Sequence, residues 1–222
     1  GGGGTFHAWP SGMQVTPQRI IRAAGNRAEV AFRFMLCQFL HIDRWHQCPL
    51  AAKDYAVDII KYLNAQPKRR RRRVVEIGCG IGDILLNLDF EERHGLDSDP
   101  AVLKGAEFFR RSHFKGTANF TQAIFPECNL EGVYSSIIMV GWTHAIAPEI
   151  LWGGIRNLVI NNLDTGGILI TDTVSGEGYP HRHSPIALFD GLHGRVEKLG
   201  SYVNTRQVFS FIKSPAGAGC GR

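Results

Sequence analysis

Apolar residues recur along the chain in two different patterns, and the change from one to the other near residue 73 lays out the elements. Thr16-Pro17 pairs a capping residue with proline at a first helical position. From there Ile20, Ala24, Ala28, Ala31, Met35 and Phe39 fall three or four residues apart, which predicts a helix to about Ile42 with that row buried. Cys48-Pro49 breaks the rhythm. Ala52, Ala56, Ile59, Ile60 and Leu63 then predict a second amphipathic helix that ends before Pro67. Both helices are expected to pack beside a sheet and cover a ligand site. Beyond Arg73 the pattern becomes short strands, largely apolar and suited to burial at 74–77, 136–140 and 168–171, with 94–97 and 119–123 read as the second and third strands. A short helix is predicted over 83–88, and another opening at Asp99-Pro100 with Val102, Leu103, Ala106 and Phe109 on one side. Residues 148–163 read as a helix, Gly166-Gly167 as a turn, 176–184 as an exposed loop and 185–192 as a short helix. The runs 195–203 and 207–212 flank Asn204-Thr205-Arg206 as a hairpin.

The chemistry concentrates in Val74-Val75-Glu76-Ile77-Gly78-Cys79-Gly80-Ile81-Gly82-Asp83. A buried strand, a tight glycine turn and a helix with free amides can hold a polar ligand against the backbone. The spacing narrows the choice. A dinucleotide loop G-x-G-x-x-G needs glycine at position 83, which is Asp83. No Lys-Ser or Lys-Thr follows to cradle a triphosphate. Glu76, two residues ahead of Gly78, repels phosphates and suits a cationic ligand.

This stretch resembles motif I of the class I S-adenosylmethionine-dependent methyltransferases, E/D-x-G-x-G-x-G, through Glu76, Gly78, Gly80 and Gly82. Gly95-Leu96-Asp97-Ser98-Asp99-Pro100 adds an acid where the family ends its second strand and holds the ribose hydroxyls, by position Asp97. The resemblance spans about 74–213. It implies a three-layer Rossmann-like sandwich, with a mostly parallel seven-stranded sheet in the order 3-2-1-4-5-7-6 and here an N-terminal helical extension. It further implies S-adenosylmethionine as donor, S-adenosylhomocysteine as product, and a cofactor-binding set of Glu76, Gly78, Cys79, Gly80, Gly82, Asp97, Ser98, Gln122, Ala123, Ile124, Val140, Gly141 and Trp142. Where the family often places an acid near the adenine, this chain reads Gln122-Ala123-Ile124-Phe125, so Gln122 and the Ala123 or Ile124 backbone are the adenine candidates. The expected organisation is a flexible or tag-like start over 1–15, a helical cap over 16–67, the donor-binding core over 68–213 and a loose tail over 214–222.

Composition fills in the surroundings. A chain of 222 residues with 44% hydrophobic content suits one α/β domain with an elaboration. No run approaches the ~20 apolar residues of a membrane span. Cys37, Cys48, Cys79, Cys128 and Cys220 are scattered and odd in number, without C-x-x-C spacing, so neither a disulfide framework nor a zinc cluster is indicated and a reducing cytoplasm fits best. Four leading glycines in place of an initial Met suggest a processed or engineered start. The net charge of +5 is local: six of the 25 basic residues form the run Lys68–Arg73, leaving 19 against 20 acidic ones. That argues against a broad footprint for a duplex. The run reads as a solvated loop, with binding to phosphate, RNA or an acidic partner as the other reading.

Ligands of open α/β sheets bind outside the carboxyl ends of the strands, which places Gly141-Trp142-Thr143-His144 near a reacting methyl. A packing Trp and a surface His are the plain alternatives. An alcohol acceptor must lose a proton, and His144, His181 and His183 are the candidate bases. His181-Arg182-His183 has the spacing of a metal pair but no partnering carboxylates, so no metal is expected. The reading is methyl transfer to a small molecule, oxygen slightly favoured over nitrogen. RNA methylation through the arginine run and a non-catalytic binding protein are the alternatives. No Asn-Pro-Pro-Tyr or Asp-Pro-Pro-Tyr follows the fourth strand.

Overall fold

The computed structural model describes residues 17–113, 117–203 and 205–215. The expected cap at Thr16 and nearly all of both expected tails lie outside the described residues. The elements are α1 (Pro17–Leu40), α2 (Asp54–Asn64), β1 (Arg73–Ile77), β2 (Glu92–Asp97), α3 (Pro100–His113), β3 (Ala118–Gln122), β4 (Tyr134–Met139), α4 (Pro148–Asn161), β5 (Leu163–Thr173), α5 (Pro185–Phe189), β6 (Gly194–Ser201) and β7 (Gln207–Lys213). The sheet order is β3-β2-β1-β4-β5-β7-β6, as predicted. β7 runs antiparallel to β5 and β6, while the pairs from β3 to β5 are parallel.

The apolar runs are continuous because the central strands are covered on both faces. Alternate residues of one strand point to opposite faces, so Val75 and Ile77 join Ile137, Leu151 and Ile155 in one layer, while Val74 joins Ala56, Ile59, Leu63 and Ile138 in the other. All ten of these side chains are within 3% of full burial; each large one contributes about 1.5–3 kcal/mol by leaving water. Strand order reverses between β1 and β4, which opens a crevice at their carboxyl ends.

Three expectations need correcting. From Ala28 onward the α1 row is not buried: Met35 is 62% and Phe39 81% exposed, and Ala28 and Ala31 also face solvent. The helix buries Arg33 and Cys37 instead, because Arg33 is held by Asp83 and lies 5.0 Å above the Phe109 ring, and Phe32 meets Phe108 and Phe109 of α3. A charged contact, invisible to periodicity, sets the rotation of the helix. The predicted helix over 83–88 is only a single 3-10 turn, Leu85–Asn87. Few residues separate the glycine loop from β2, and Leu85, Leu88 and Phe90 are pinned in the core, so no α-helical amide row faces the loop. Gly166-Gly167 is not a turn between elements but lies within β5. Pairing shifts from Tyr134 with Leu163 to Ser136 with Ile168, a bulge that Gly166 absorbs at φ 73°.

The basic run lies at the amino end of β1, opposite the crevice. Lys68–Arg70 form an exposed 3-10 turn. Arg71 pairs with Asp89; Arg73 donates from Nε to Glu92 at 2.8 Å and reaches the carbonyls of Glu131 and Val133. Two of the arginines therefore brace the amino ends of the central strands. No helix among the described residues is long and apolar enough to cross a membrane.

Candidate active site

The crevice is a cavity of about 760 Å³ at the carboxyl ends of β1, β2 and β4, roofed by residues between α1 and α2 and by the β6–β7 turn. On its β1–β2 side the glycine loop folds back on β2: Gly78 and Cys79 donate their amides to the Leu96 carbonyl at 2.7 and 2.9 Å. Asp97 accepts the Gly80 amide at 2.9 Å and the Asp99 amide at 3.1 Å, one on each oxygen. Each oxygen keeps a further lone pair. The loop depends on missing side chains. A Cβ on Gly78, at φ 72°, would fall 2.1 Å from Trp142 Nε1, which donates to the Ile77 carbonyl at 2.7 Å. One on Gly80 would fall 2.9 Å from His46 Nε2.

Glu76, next to last in β1, is 4% exposed, with Oε2 accepting the Leu85 amide at 3.0 Å. Burial pushes its carboxyl well above the usual range, against the pull of that amide. A short distance away Asp83 accepts from Arg33 Nη2 at 2.7 Å and Lys53 Nζ at 2.9 Å. Burial alone would raise Asp83; Lys53 and Arg33 outweigh it and hold the carboxyl below its ordinary value. This triad fastens α1 and the start of α2 to the glycine loop.

The β4–β5 side centres on Asp172, which is fully buried. Its Oδ1 accepts the Gly141 amide at 3.1 Å and the Thr143 hydroxyl at 3.0 Å, and its Oδ2 pairs with Arg206 from the β6–β7 turn. The Arg206 guanidinium lies 5.0 Å from the Tyr55 ring centroid. Burial pushes Arg206 down and Tyr55 up to about 12, so the Tyr55 hydroxyl keeps its proton at neutral pH.

His144 lines the cavity edge-on to Tyr179, with ring centroids 4.7 Å apart. Its Nδ1 is buried and has no partner among the described residues. Burial, then Arg206 and His183, depress its pKa, so it is neutral at pH 7. The other two candidate bases do not line the cavity. His183 is buried with Nε2 3.0 Å from the Thr143 carbonyl, which requires the proton on Nε2, and His181 contributes its backbone amide to the His144 carbonyl at 3.1 Å.

Of the predicted donor-binding set, Glu76, Gly78, Cys79, Gly80, Asp97, Ser98, Ala123, Ile124, Val140, Gly141 and Trp142 line the cavity; Gly82 and Gln122 do not. The Gln122 side chain instead donates to the Ser98 carbonyl at 3.1 Å. Sequence reasoning missed Arg33, Lys53, Tyr55, Asp83, Asp172 and Arg206. Asp172 carried a signal, an acid closing an apolar strand as Asp97 does. Arg206 carried none, since its direction is set by tertiary packing. Among the described residues no group of three or more His, Cys, Asp or Glu could hold a metal ion.

No family model and no curated protein matches the sequence. Solved structures do. Magnesium protoporphyrin IX methyltransferase from Synechocystis, with bound SAM, is 15% identical with a TM-score of 0.61, covering 92% of this chain and all (100%) of that one. A S-adenosylmethionine-dependent methyltransferase from Clostridium acetobutylicum is 13% identical with a TM-score of 0.57, covering 73% and 92%. The N-methyltransferase NodS from Bradyrhizobium japonicum is 13% identical with a TM-score of 0.56, covering 75% and 97%. With its strand order and these neighbours, the chain has the Rossmann-like fold of the class I S-adenosylmethionine-dependent methyltransferases.

Proposed function

We propose that the chain transfers the methyl group of S-adenosylmethionine to a small acceptor, oxygen being favoured over nitrogen. The observation that carries this reading is the convergence on one cavity of Glu76, the Gly78–Gly80 backbone, Asp97 and a neutral His144. The groups fit the donor. Glu76 uses one oxygen on Leu85 and keeps the other for an ammonium; Asp97 keeps lone pairs for ribose hydroxyls; the missing Cβ atoms of Gly78 and Gly80 let Trp142 and His46 close against the loop. When bound, S-adenosylmethionine supplies a methyl group on a positively charged sulfur. The chain's own part is to align the acceptor, exclude water and take up the acceptor's proton. His144 is the residue for that last task, being uncharged and at the end of β4. His181 and His183 are assigned to holding the loop after β5.

A small acceptor is preferred to RNA because the arginine run and the cavity lie at opposite ends of β1. Its five residues separate them by about 16 Å of strand. Equilibrium dialysis with labelled S-adenosylmethionine tests the donor: saturable uptake is expected, weakened by about 1–3 kcal/mol in Asp97→Ala. Absence of uptake by the wild-type protein would sink the proposal. Label appearing in RNA rather than in the small-molecule fraction of an extract would redirect it.

A further inference from the structure

On the side of the cavity away from Asp97, two hydrogen-bond donors face open space. Arg206 spends Nη1 on Asp172, and its Nε and Nη2 have no hydrogen-bond acceptor among the described residues. The Tyr55 hydroxyl, at the cavity wall 3.9 Å from where a Gly141 Cβ would stand, also has no such partner there. Neighbouring Tyr202, in contrast, is satisfied, its hydroxyl donating to Asp58 at 3.0 Å. The buried Arg206 guanidinium over the Tyr55 ring and the partly buried Tyr55 hydroxyl leave donors that are costly to waste.

Asp172 does not exhaust the guanidinium. The Asp172 carboxylate already accepts from the Gly141 amide and the Thr143 hydroxyl, so its charge is shared among three partners. The fork of Arg206 retains an edge suited to a planar, two-oxygen acceptor. The donor does not account for that edge. Asp97 on β2 and Asp172 on β5 stand three strand positions apart in the sheet, about 14 Å. The predicted donor contacts occupy the first two of the intervening gaps, from Asp97 over Gly78 to Gly141.

We propose that Arg206 and Tyr55 form an anion subsite on the acceptor side of the cavity, and that the methyl acceptor carries a carboxylate held there. The assignment rests on the methyl-transfer reading only for the word acceptor; the subsite itself can be tested without turnover. Tyr55 supplies a neutral O–H and Arg206 the charge, so an uncharged isostere of the carboxylate is discriminated against.

The experiment is a ligand-observed NMR titration of benzoate against benzamide, on the free protein and on protein saturated with S-adenosylhomocysteine. Benzoate is expected to bind at least tenfold more tightly than benzamide. Arg206→Lys and Tyr55→Phe should each remove most of that preference while leaving S-adenosylhomocysteine affinity unchanged. Tyr55→Phe keeps Asp172 paired, so its result stands even if Arg206→Lys does not fold. Equal binding of the two probes overturns the subsite. So does weakened S-adenosylhomocysteine binding in Tyr55→Phe with the benzoate preference intact, which would assign the pair to the carboxylate of the donor. Benzoate preference in a protein that takes up no S-adenosylhomocysteine would keep the subsite and overturn the methyl-transfer reading alone.

Discussion

Replacing Asp83 by Asn tests what fastens the helical roof to the glycine loop. The carboxylate accepts from Arg33 at 2.7 Å and Lys53 at 2.9 Å, with Arg33 only 5% and Lys53 only 7% exposed. Removing the charge leaves two buried cations, of which, among the described residues, only Arg33 keeps another acidic partner, Glu29 at 2.9 Å. Breaking a buried pair in this way costs about 3–5 kcal/mol. For a domain of this size each kcal/mol moves Tm by about 2–4 °C, so Asp83→Asn should melt about 6–20 °C below wild type. The difference has a defined pH dependence. The folded-state pKa of Asp83 lies below its ordinary value, so its stabilisation is present above the unfolded value of about 3.9 and is lost as pH falls through the folded one. Calorimetry at pH 7 and in acid should therefore show the gap closing in acid. The triple change Arg33→Met, Lys53→Met, Asp83→Leu should recover most of the loss, since burying no charge avoids the desolvation cost. A single variant within 1 kcal/mol of wild type at pH 7 would refute the argument.

Glu76→Gln should raise the melting temperature and flatten its pH dependence. The folded pKa of Glu76 is raised, so the penalty for burying its charge grows as pH climbs from about 4.3 through the folded value; melts at pH 5 and 8 read this, and an unchanged slope would count against it. Gly78→Ala combines φ 72° with a 2.1 Å approach to Trp142 Nε1, and should lower stability by about 1–3 kcal/mol from the backbone alone and abolish donor uptake; normal dialysis would mean the loop is elsewhere. His144→Gln should lower kcat about 10²–10⁴-fold while leaving donor affinity intact. Since burial lowers the His144 pKa, the wild-type rate should rise through a value below 6.5 and be flat at neutral pH, and a profile rising above pH 7 would assign the base elsewhere.

The sheet was legible because its signals are local. Val74-Val75 and Ile137–Val140 are apolar at successive positions, as strands buried on both faces must be, and Asp97 and the glycine spacing carried the order of the crevice. Rotation of α1 was not legible. Met35 and Phe39 obey helical periodicity as well as any core residues, yet the ion pair of Arg33 with Asp83 turns them outward. The expected helix after the glycine loop failed for a related reason: Glu76 reaches forward to the Leu85 amide and pins the segment as one 3-10 turn. Among the histidines, sequence gave three equivalent choices. Only packing separates them, by placing His183 against the Thr143 carbonyl and His144 at the cavity.

The reversed strand β7 has a temporal corollary. Arg206 reaches Asp172 only from the turn that precedes Gln207–Lys213, and that strand must slot between β5 and β6 after both have been made. A nascent chain that has emerged only as far as β5 already owns the glycine loop and Asp97, but its Asp172 lacks a counter-charge. Completion of one wall of the crevice thus waits on the β6–β7 hairpin, which brings Arg206 to Asp172.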